Sequence, residues 1–373
     1  MNITSSPPER THLRLGFVAL SDAAPLAVAA LRELGARHGI AIELCRQPSW
    51  AAVRDKLLSG EIDAAHALYG LVYGVQLGIG GPQADMAVLM VLNRNGQAIT
   101  LSRPLADAIR GGASVKDALR TLERKPVIAQ TFPTGTHAMW LYYWLAAHGV
   151  HPLRDVQSVV IPPPRMADAL VEGALDGFCA GEPWHAVAEA RNAGGTVAYT
   201  SEIWPDHPEK VLACRRDFAA LYPATARALV RTMLDACAWL DSTAHRTEIV
   251  QALASETLLG VPSRLIEPRL VAADGGAARA LPVRFFDGGA VNYPRVSDGL
   301  WFITQYRRWG LLDADIDDAG IAASVNQTAL YRDAAQAAGV ALPAERHAAT
   351  FCDARVWDGG DAAAYLAGFE MRA

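Results

Sequence analysis

Apolar residues run almost unbroken from Leu13 to Leu20, as in a buried strand. They then recur at helical spacing from Pro25 to Arg37, and Gly39 separates that run from a second strand-like one, Ile40 to Cys45. The order is strand, helix, strand. Ser49 offers a side-chain oxygen at the head of a helix from Trp50 to Leu58, Gly60 ends it, and strand returns from Ile62 to Leu68. Met86 to Asn93 and Gln97 to Leu101 read as further strands. At Val127 the order begins again, with strand to Gln130 and then a helix of about three turns ending at His148 and Gly149, as His38 and Gly39 end its counterpart. The pattern Leu-x-x-Gly-x-(Ile/Leu)-Asp, present at Leu57, Gly60, Ile62 and Asp63, repeats at Leu170, Gly173, Leu175 and Asp176, about 110 positions later. Two ordered matches at nearly the same offset predict two related α/β lobes. Each should hold a mainly parallel sheet, and the loops beyond the strand C-termini should face each other across a cleft.

From Pro223 the periodicity turns helical, over Ala224 to Leu240, Arg246 to Thr257 and Asp298 to Trp309. The expected division is therefore 12–115 for the first part of lobe 1, 116–215 for lobe 2, and 216–373 for a helical return that completes lobe 1 and adds a C-terminal tail.

Composition narrows the function. The 373 residues exceed what one core normally serves, and 51% hydrophobic with 20% charged residues is the balance of a globular protein. A net charge of −5 with scattered basic residues argues against direct nucleic-acid binding. Cys45, Cys179, Cys214, Cys237 and Cys352 form no Cys-x-x-Cys pair, so neither a disulfide framework nor a zinc site is expected, and no cofactor is implied. Met1 to Arg10 carries Ser, Pro and Glu where an export signal needs about 7–15 apolar residues. The longest apolar run, Ala138 to Ala147, is about half of a membrane span. The expectation is a cytoplasmic protein with no membrane contact.

The richest segment chemically is QTFPTGTHAMWLYYW, Gln130 to Trp144, where a strand passes through Pro133 and Gly135 into an apolar helix. Unpaired N–H groups at a helix start attract anions, Thr131, Thr134 and Thr136 add hydroxyls, and His137 adds a ring nitrogen. A helix cap with a satisfied histidine is the plainer alternative. Lys210, in WPDHPEKVL (Trp204 to Leu212), is either a fixed counter-charge or a solvated lysine. Trp50 at a helix start and Gln97 after Asn95-Gly96 are donors that serve equally as core and turn residues. His66 with Asp63, and His185 after Glu182, read as capping or core hydrogen bonds. A Gly-x-Ser-x-Gly elbow, a Gly-x-x-x-x-Gly-Lys-(Ser/Thr) loop and a His-Glu-x-x-His helix are all absent, which favours a binding protein over an enzyme.

APLAVA (Ala24 to Ala29), SWAAVRDKL (Ser49 to Leu57), NGQAITLS (Asn95 to Ser102), QTFPTGTHAMW, DGFCAGEPW (Asp176 to Trp184) and WPDHPEKVL occur in that order. In these motifs, and from about Leu13 to Gly310, the chain resembles the nitrate-binding proteins of the ABC-transporter solute-binding class. The resemblance implies a type II periplasmic-binding-protein fold with the anion between the lobes. It also implies that Trp50, Gln97, His137 and Lys210 contact nitrate or nitrite, with Pro163, Gly135 and Thr136 in the cleft wall. Bicarbonate-binding relatives replace the cationic part of that site and use a metal, so His137 with Lys210 favours nitrate or nitrite. Without an export signal or lipid-anchor cysteine, the chain is most similar to the cytoplasmic nitrate/nitrite sensors, which sequester an RNA-binding antiterminator of the ANTAR class until anion binds. The alternatives are the nitrate-binding component of an ABC transporter and an enzyme on the same fold, like the pyrimidine-synthesis proteins of the thiamine pathway. That enzyme needs a histidine- and cysteine-rich site, which is not found around His66 or Cys179.

Overall fold

The structure is a computed structural model that describes residues 6–271 and 281–373. Its strands are β1 (His12–Val18), β2 (Ala41–Gln47), β3 (Ala64–Leu68), β4 (Met86–Val91), β5 (Gln97–Ser102), β6 (Val127–Gln130), β7 (Gln157–Val160), β8 (Gly177–Gly181), β9 (Gly194–Tyr199) and β10 (Lys210–Arg215). They form two five-stranded sheets, in the orders β2-β1-β3-β10-β4 and β7-β6-β8-β5-β9, and the pair Ala349–Thr350 and Val356–Trp357 makes a separate ribbon. In each sheet the first three strands are parallel and the fourth runs antiparallel to both its neighbours. The two lobes are thus copies of one arrangement, as the repeated motif predicts.

The repeated aspartates show why that motif recurs. Asp63 Oδ2 accepts from Arg14 N at 2.7 Å, while Asp63 N donates to Arg14 O at 2.8 Å. Asp176 Oδ2 accepts from Val127 N at 2.7 Å, while Asp176 N donates to Val127 O at 2.8 Å. Each carboxylate therefore ties the entrance of its lobe's third strand to the first, and each also holds an arginine, Arg10 or Arg124. Gly60 and Gly173 precede them at φ +77° and +72°, a left-handed turn open to glycine at little cost.

Two expectations change. β5 belongs to the second sheet and β10 to the first, so the lobes exchange chain at residues 92–96 and again before Lys210 rather than at 115/116 and 215/216. Alternation of apolar residues marks a strand without saying which sheet takes it. The helical return also does more than complete lobe 1. Helix Val296–Arg308 lays Trp301 against Trp140 and Trp204 with ring centroids 4.9 and 5.1 Å apart, and Arg269 of helix Ser263–Leu270 pairs with Glu182 and Glu189 in lobe 2. It straps the lobes together. Further direct contacts, Ser21 N to Glu182 O at 2.8 Å and Trp184 Nε1 to Ala19 O at 2.9 Å, close one lobe on the other. No helix among the described residues is long and apolar enough to cross a membrane.

Because both aspartates fasten strands far from the lobe interface, Asp63→Ala and Asp176→Ala should each cost about 1–3 kcal/mol in denaturant unfolding. The rest of the fold should be unaffected, since each carboxylate serves only its own lobe's strands and a neighbouring arginine.

Candidate functional site

The two chain crossings lie side by side. Asn95 N donates to His207 O at 3.1 Å, Glu209 N donates to Asn93 O at 3.1 Å, and Arg94 bridges Pro208. The reversal that starts the first crossing's exit is set by Asn95 and Gly96 at φ +60° and +93°. Gln97 is the first residue of β5 after one crossing, and Lys210 the first of β10 after the other. The hinge thus brings together side chains from segments more than a hundred residues apart.

These side chains form one buried network. Asp22, in the turn Ser21–Ala23 beyond β1, accepts at Oδ2 from Lys210 Nζ and from Gln97 Nε2, each at 2.8 Å, and at Oδ1 from His66 Nε2 at 2.8 Å. Lys210 Nζ also donates to Glu209 Oε1 at 3.0 Å, and Glu209 Oε2 accepts from Trp140 Nε1 at 2.8 Å. Gln97, His137, Glu209 and Lys210 are at most 1% exposed and Asp22 only 4%. Burial opposes ionisation of Asp22, but Lys210 and His66 outweigh it and hold the carboxyl well below its ordinary range. Burial likewise works against the Lys210 charge, and Asp22 with Glu209 more than restores it. On Glu209 burial prevails over Lys210 and Trp140, and its pKa is raised.

The network fixes where its protons are. An ionised carboxylate only accepts, so Gln97 must turn its amide nitrogen to Asp22 and its Oε1 to His137 Nε2, 2.8 Å away. His137 therefore carries its proton on Nε2, and Nδ1 accepts from the Thr131 hydroxyl at 2.7 Å. Burial, then Lys210, hold this imidazole well below its usual pKa, so it is neutral. Both its nitrogens have protein partners, Thr131 and Gln97, so His137 orients the Gln97 amide. The donors that remain include the second N–H of Gln97, the third N–H of Lys210, and Trp50 Nε1, which is buried with no partner among the described residues. Lys210 Nζ lies 5.8 Å from the centroid of the Trp50 ring, which itself stands 5.5 Å from His66.

The other expected residues sit at the edge. Ser49 caps the helix Trp50–Ser59 by accepting from Ala52 N, which places Trp50 in its first turn. Gly135 caps helix Thr136–Ala147 against Leu68, the residue paired with Lys210 across β3 and β10, and a Cβ there would come within 2.7 Å of Leu68 Cδ1. Thr136 Oγ1 is buried without a partner among the described residues. Pro163 opens helix Pro163–Val171, the lobe 2 counterpart of helix Trp50–Ser59, and without an N–H it supplies no donor. His185 is a core residue, bonded to Thr100 and Ala180. His66 is not, since it bonds Asp22 rather than Asp63 and so belongs to the cluster.

Asp22, Glu209 and Trp140 were not foreseen. Asp22 is the only acid between Leu13 and Leu31, placed where an apolar strand ends, and that isolation was a usable signal. Gly181, opposite Gln97 in β8, makes room for the amide: a Cβ there would meet Gln97 Oε1 at 2.7 Å and Leu20 at 3.0 Å. Among the described residues no group of three or more His, Cys, Asp or Glu side chains is placed to hold a metal ion.

Two α/β lobes closed over a polar cluster at their hinge are the arrangement of the periplasmic-binding-protein fold. The NMT1-like family model matches residues 6–254, and the chain belongs to that family. It is 36% identical to the nitrate/nitrite binding protein NrtA of Synechococcus elongatus, covering 98% of this chain and 88% of that protein. It is 34% identical to the nitrate import ATP-binding protein NrtC of Synechocystis sp. over 97% of this chain, but spans only 56% of NrtC. The crystal structure of the periplasmic nitrate-binding protein NrtA from Synechocystis superposes with a TM-score of 0.91 at 34% identity, covering 98% of this chain and all of that one. The chain is thus a relative of nitrate-binding proteins with the periplasmic-binding-protein fold.

Removing the single ammonium should leave two buried carboxylates unpaired. Lys210→Met is expected to lose about 3–5 kcal/mol of stability near neutral pH. The steepness of its pH response relative to wild type distinguishes this cause from a packing defect, which would leave the slope unchanged. In wild type the depressed Asp22 pKa contributes stability above the unfolded carboxylate pKa that is lost as pH falls, while the raised Glu209 pKa acts in the opposite sense. In Lys210→Met both stranded carboxyls bind protons more readily folded than unfolded, so the stability deficit against wild type should shrink as pH falls from about 7 to about 5. Denaturant unfolding across that range reads the difference.

Proposed function

We propose that this chain binds nitrate or nitrite at the hinge cluster and serves as the solute-recognition component of an anion import system. The observation that carries the reading is the set of unspent N–H donors on Trp50, Gln97 and Lys210 around one buried ammonium. A flat ion with charge spread over its oxygens can accept from several such directions at once, and a spherical halide gains less from that geometry. Such a small ligand has few atoms to bind through, so an affinity tighter than about 10 µM requires nearly every one of these donors. Metal-assisted bicarbonate binding is less compatible with an ammonium in the centre.

The related proteins bear transport names, and they support the import role over the cytoplasmic sensor that the sequence led us to expect. Regulation of an ANTAR-class antiterminator and a cytoplasmic location remain narrower proposals. Cell fractionation tests the location, and co-purification of the antiterminator with and without nitrate tests the regulation.

Titration calorimetry with sodium nitrate, nitrite, chloride and bicarbonate tests the ligand. Nitrate or nitrite should bind at least tenfold tighter than chloride. Trp50→Phe, which keeps the ring but removes the indole N–H, should weaken nitrate binding by about tenfold, the value of one hydrogen bond to a charged group. Equal affinity for all four anions, or an unaltered Trp50→Phe, contradicts the assignment.

A further inference from the structure

The hinge cluster is short of positive charge for an anion site. Glu209, the last residue of the second crossing, is faced by Lys210 at the start of β10, Asp22 from the turn beyond β1, His137 and Trp140 from helix Thr136–Ala147, His207 from its own crossing and Cys179 from β8. His66 adds its contact to Asp22, and burial, the leading cause, lowers its pKa, so it adds a hydrogen bond and not a charge. Both nearby imidazoles, His137 Nε2 and His207 Nδ1, stand 3.6 Å from Glu209 oxygens. Burial, the leading cause for each, lowers both, His207 to about 3, so neither contributes charge. Arg94 is committed to Asp298 and the Asp206 carbonyl. Lys210 is thus one cation shared by two carboxylates.

With both carboxylates ionised the buried set already carries an excess negative charge, and an entering monoanion doubles it. Uncompensated buried charge is the costliest arrangement available, and one proton removes the excess. The two candidates differ in their contacts. Asp22 accepts from Lys210, Gln97 and His66, all of which favour its charged form. Among the described residues the Glu209 carboxylate accepts only from Lys210 and Trp140, and its Lys210-side oxygen, Oε1, would on protonation become an O–H donor beside the same ammonium. Resting on the reading of this cluster as the anion site, we propose that nitrate or nitrite enters it together with a proton from solvent, which is taken up on Glu209. The burial that raises the Glu209 pKa acts in the same direction.

Linkage fixes the sign: uptake on binding makes affinity rise as pH falls, by up to tenfold per unit where Glu209 is ionised in the free protein, and level off where it is already protonated. The test is calorimetry of the full chain with sodium nitrate, from about pH 6 to about pH 8.5, in buffers of different ionisation heat. The expected result is uptake approaching one proton per anion at the high end, and for Glu209→Gln an affinity that no longer varies with pH and no proton exchange. Wild-type binding that is flat with pH and releases or takes up no proton overturns the proposal, as does full uptake in Glu209→Gln. Should that variant not fold, the wild-type buffer comparison decides alone. Absence of nitrate binding at every pH instead overturns the ligand reading, and the proton proposal with it.

Discussion

One ammonium group, that of Lys210, with no exposed surface and carboxylates at 2.8 and 3.0 Å, sets the terms for the rest of the molecule. A lysine in such a place is tolerated only if its charge is matched and its hydrogens are used, and that requires parts from every region of the fold. Asp22 comes from the turn beyond the first strand of lobe 1, Gln97 from the start of the strand entered by the first crossing, and Glu209 from the end of the second crossing. Trp140, beneath Glu209, is packed on Trp204 and on Trp301 from the helical return. The apolar wall so formed keeps water from the charges and strengthens each interaction within the cluster.

The duplicated architecture explains how the cluster arises. Each lobe alone is a sheet of parallel strands whose fourth place is filled by a strand from chain that has just left the other lobe. The two crossings must therefore pass each other, and the first residues beyond them, Gln97 and Lys210, necessarily meet at the hinge. Closure then completes the set, because Asp22 accepts from a donor on each lobe. A carboxylate that unites the two halves in this way stabilises the closed arrangement, and the donors left over are those proposed to receive an anion.

Much of this was legible in the chain. The strand and helix order, the Ser49 cap, the paired glycines and the aspartate repeat follow from local chemistry, and the structure places them within a few residues of expectation. Trp50, Gln97, His137 and Lys210 were also identifiable, through motifs shared with nitrate-binding proteins, and they do converge. What the chain did not disclose depends on contacts distant in sequence. The sheets that take β5 and β10 are decided by pairing, not periodicity. The part played by His137 became clear only once Gln97 and Asp22 fixed its proton, and His66 looked like a core residue until its partner proved to be Asp22 rather than the nearby Asp63.

The most direct test of the anion site is a crystal structure of the protein grown with nitrate. It should show the planar ion within hydrogen-bond distance of Trp50 Nε1, Gln97 Nε2 and Lys210 Nζ, with His137 still bonded to the Gln97 carbonyl oxygen. Nitrate found only elsewhere, with the Lys210 cluster unchanged and its indole and ammonium making no contact to the ion, would contradict it.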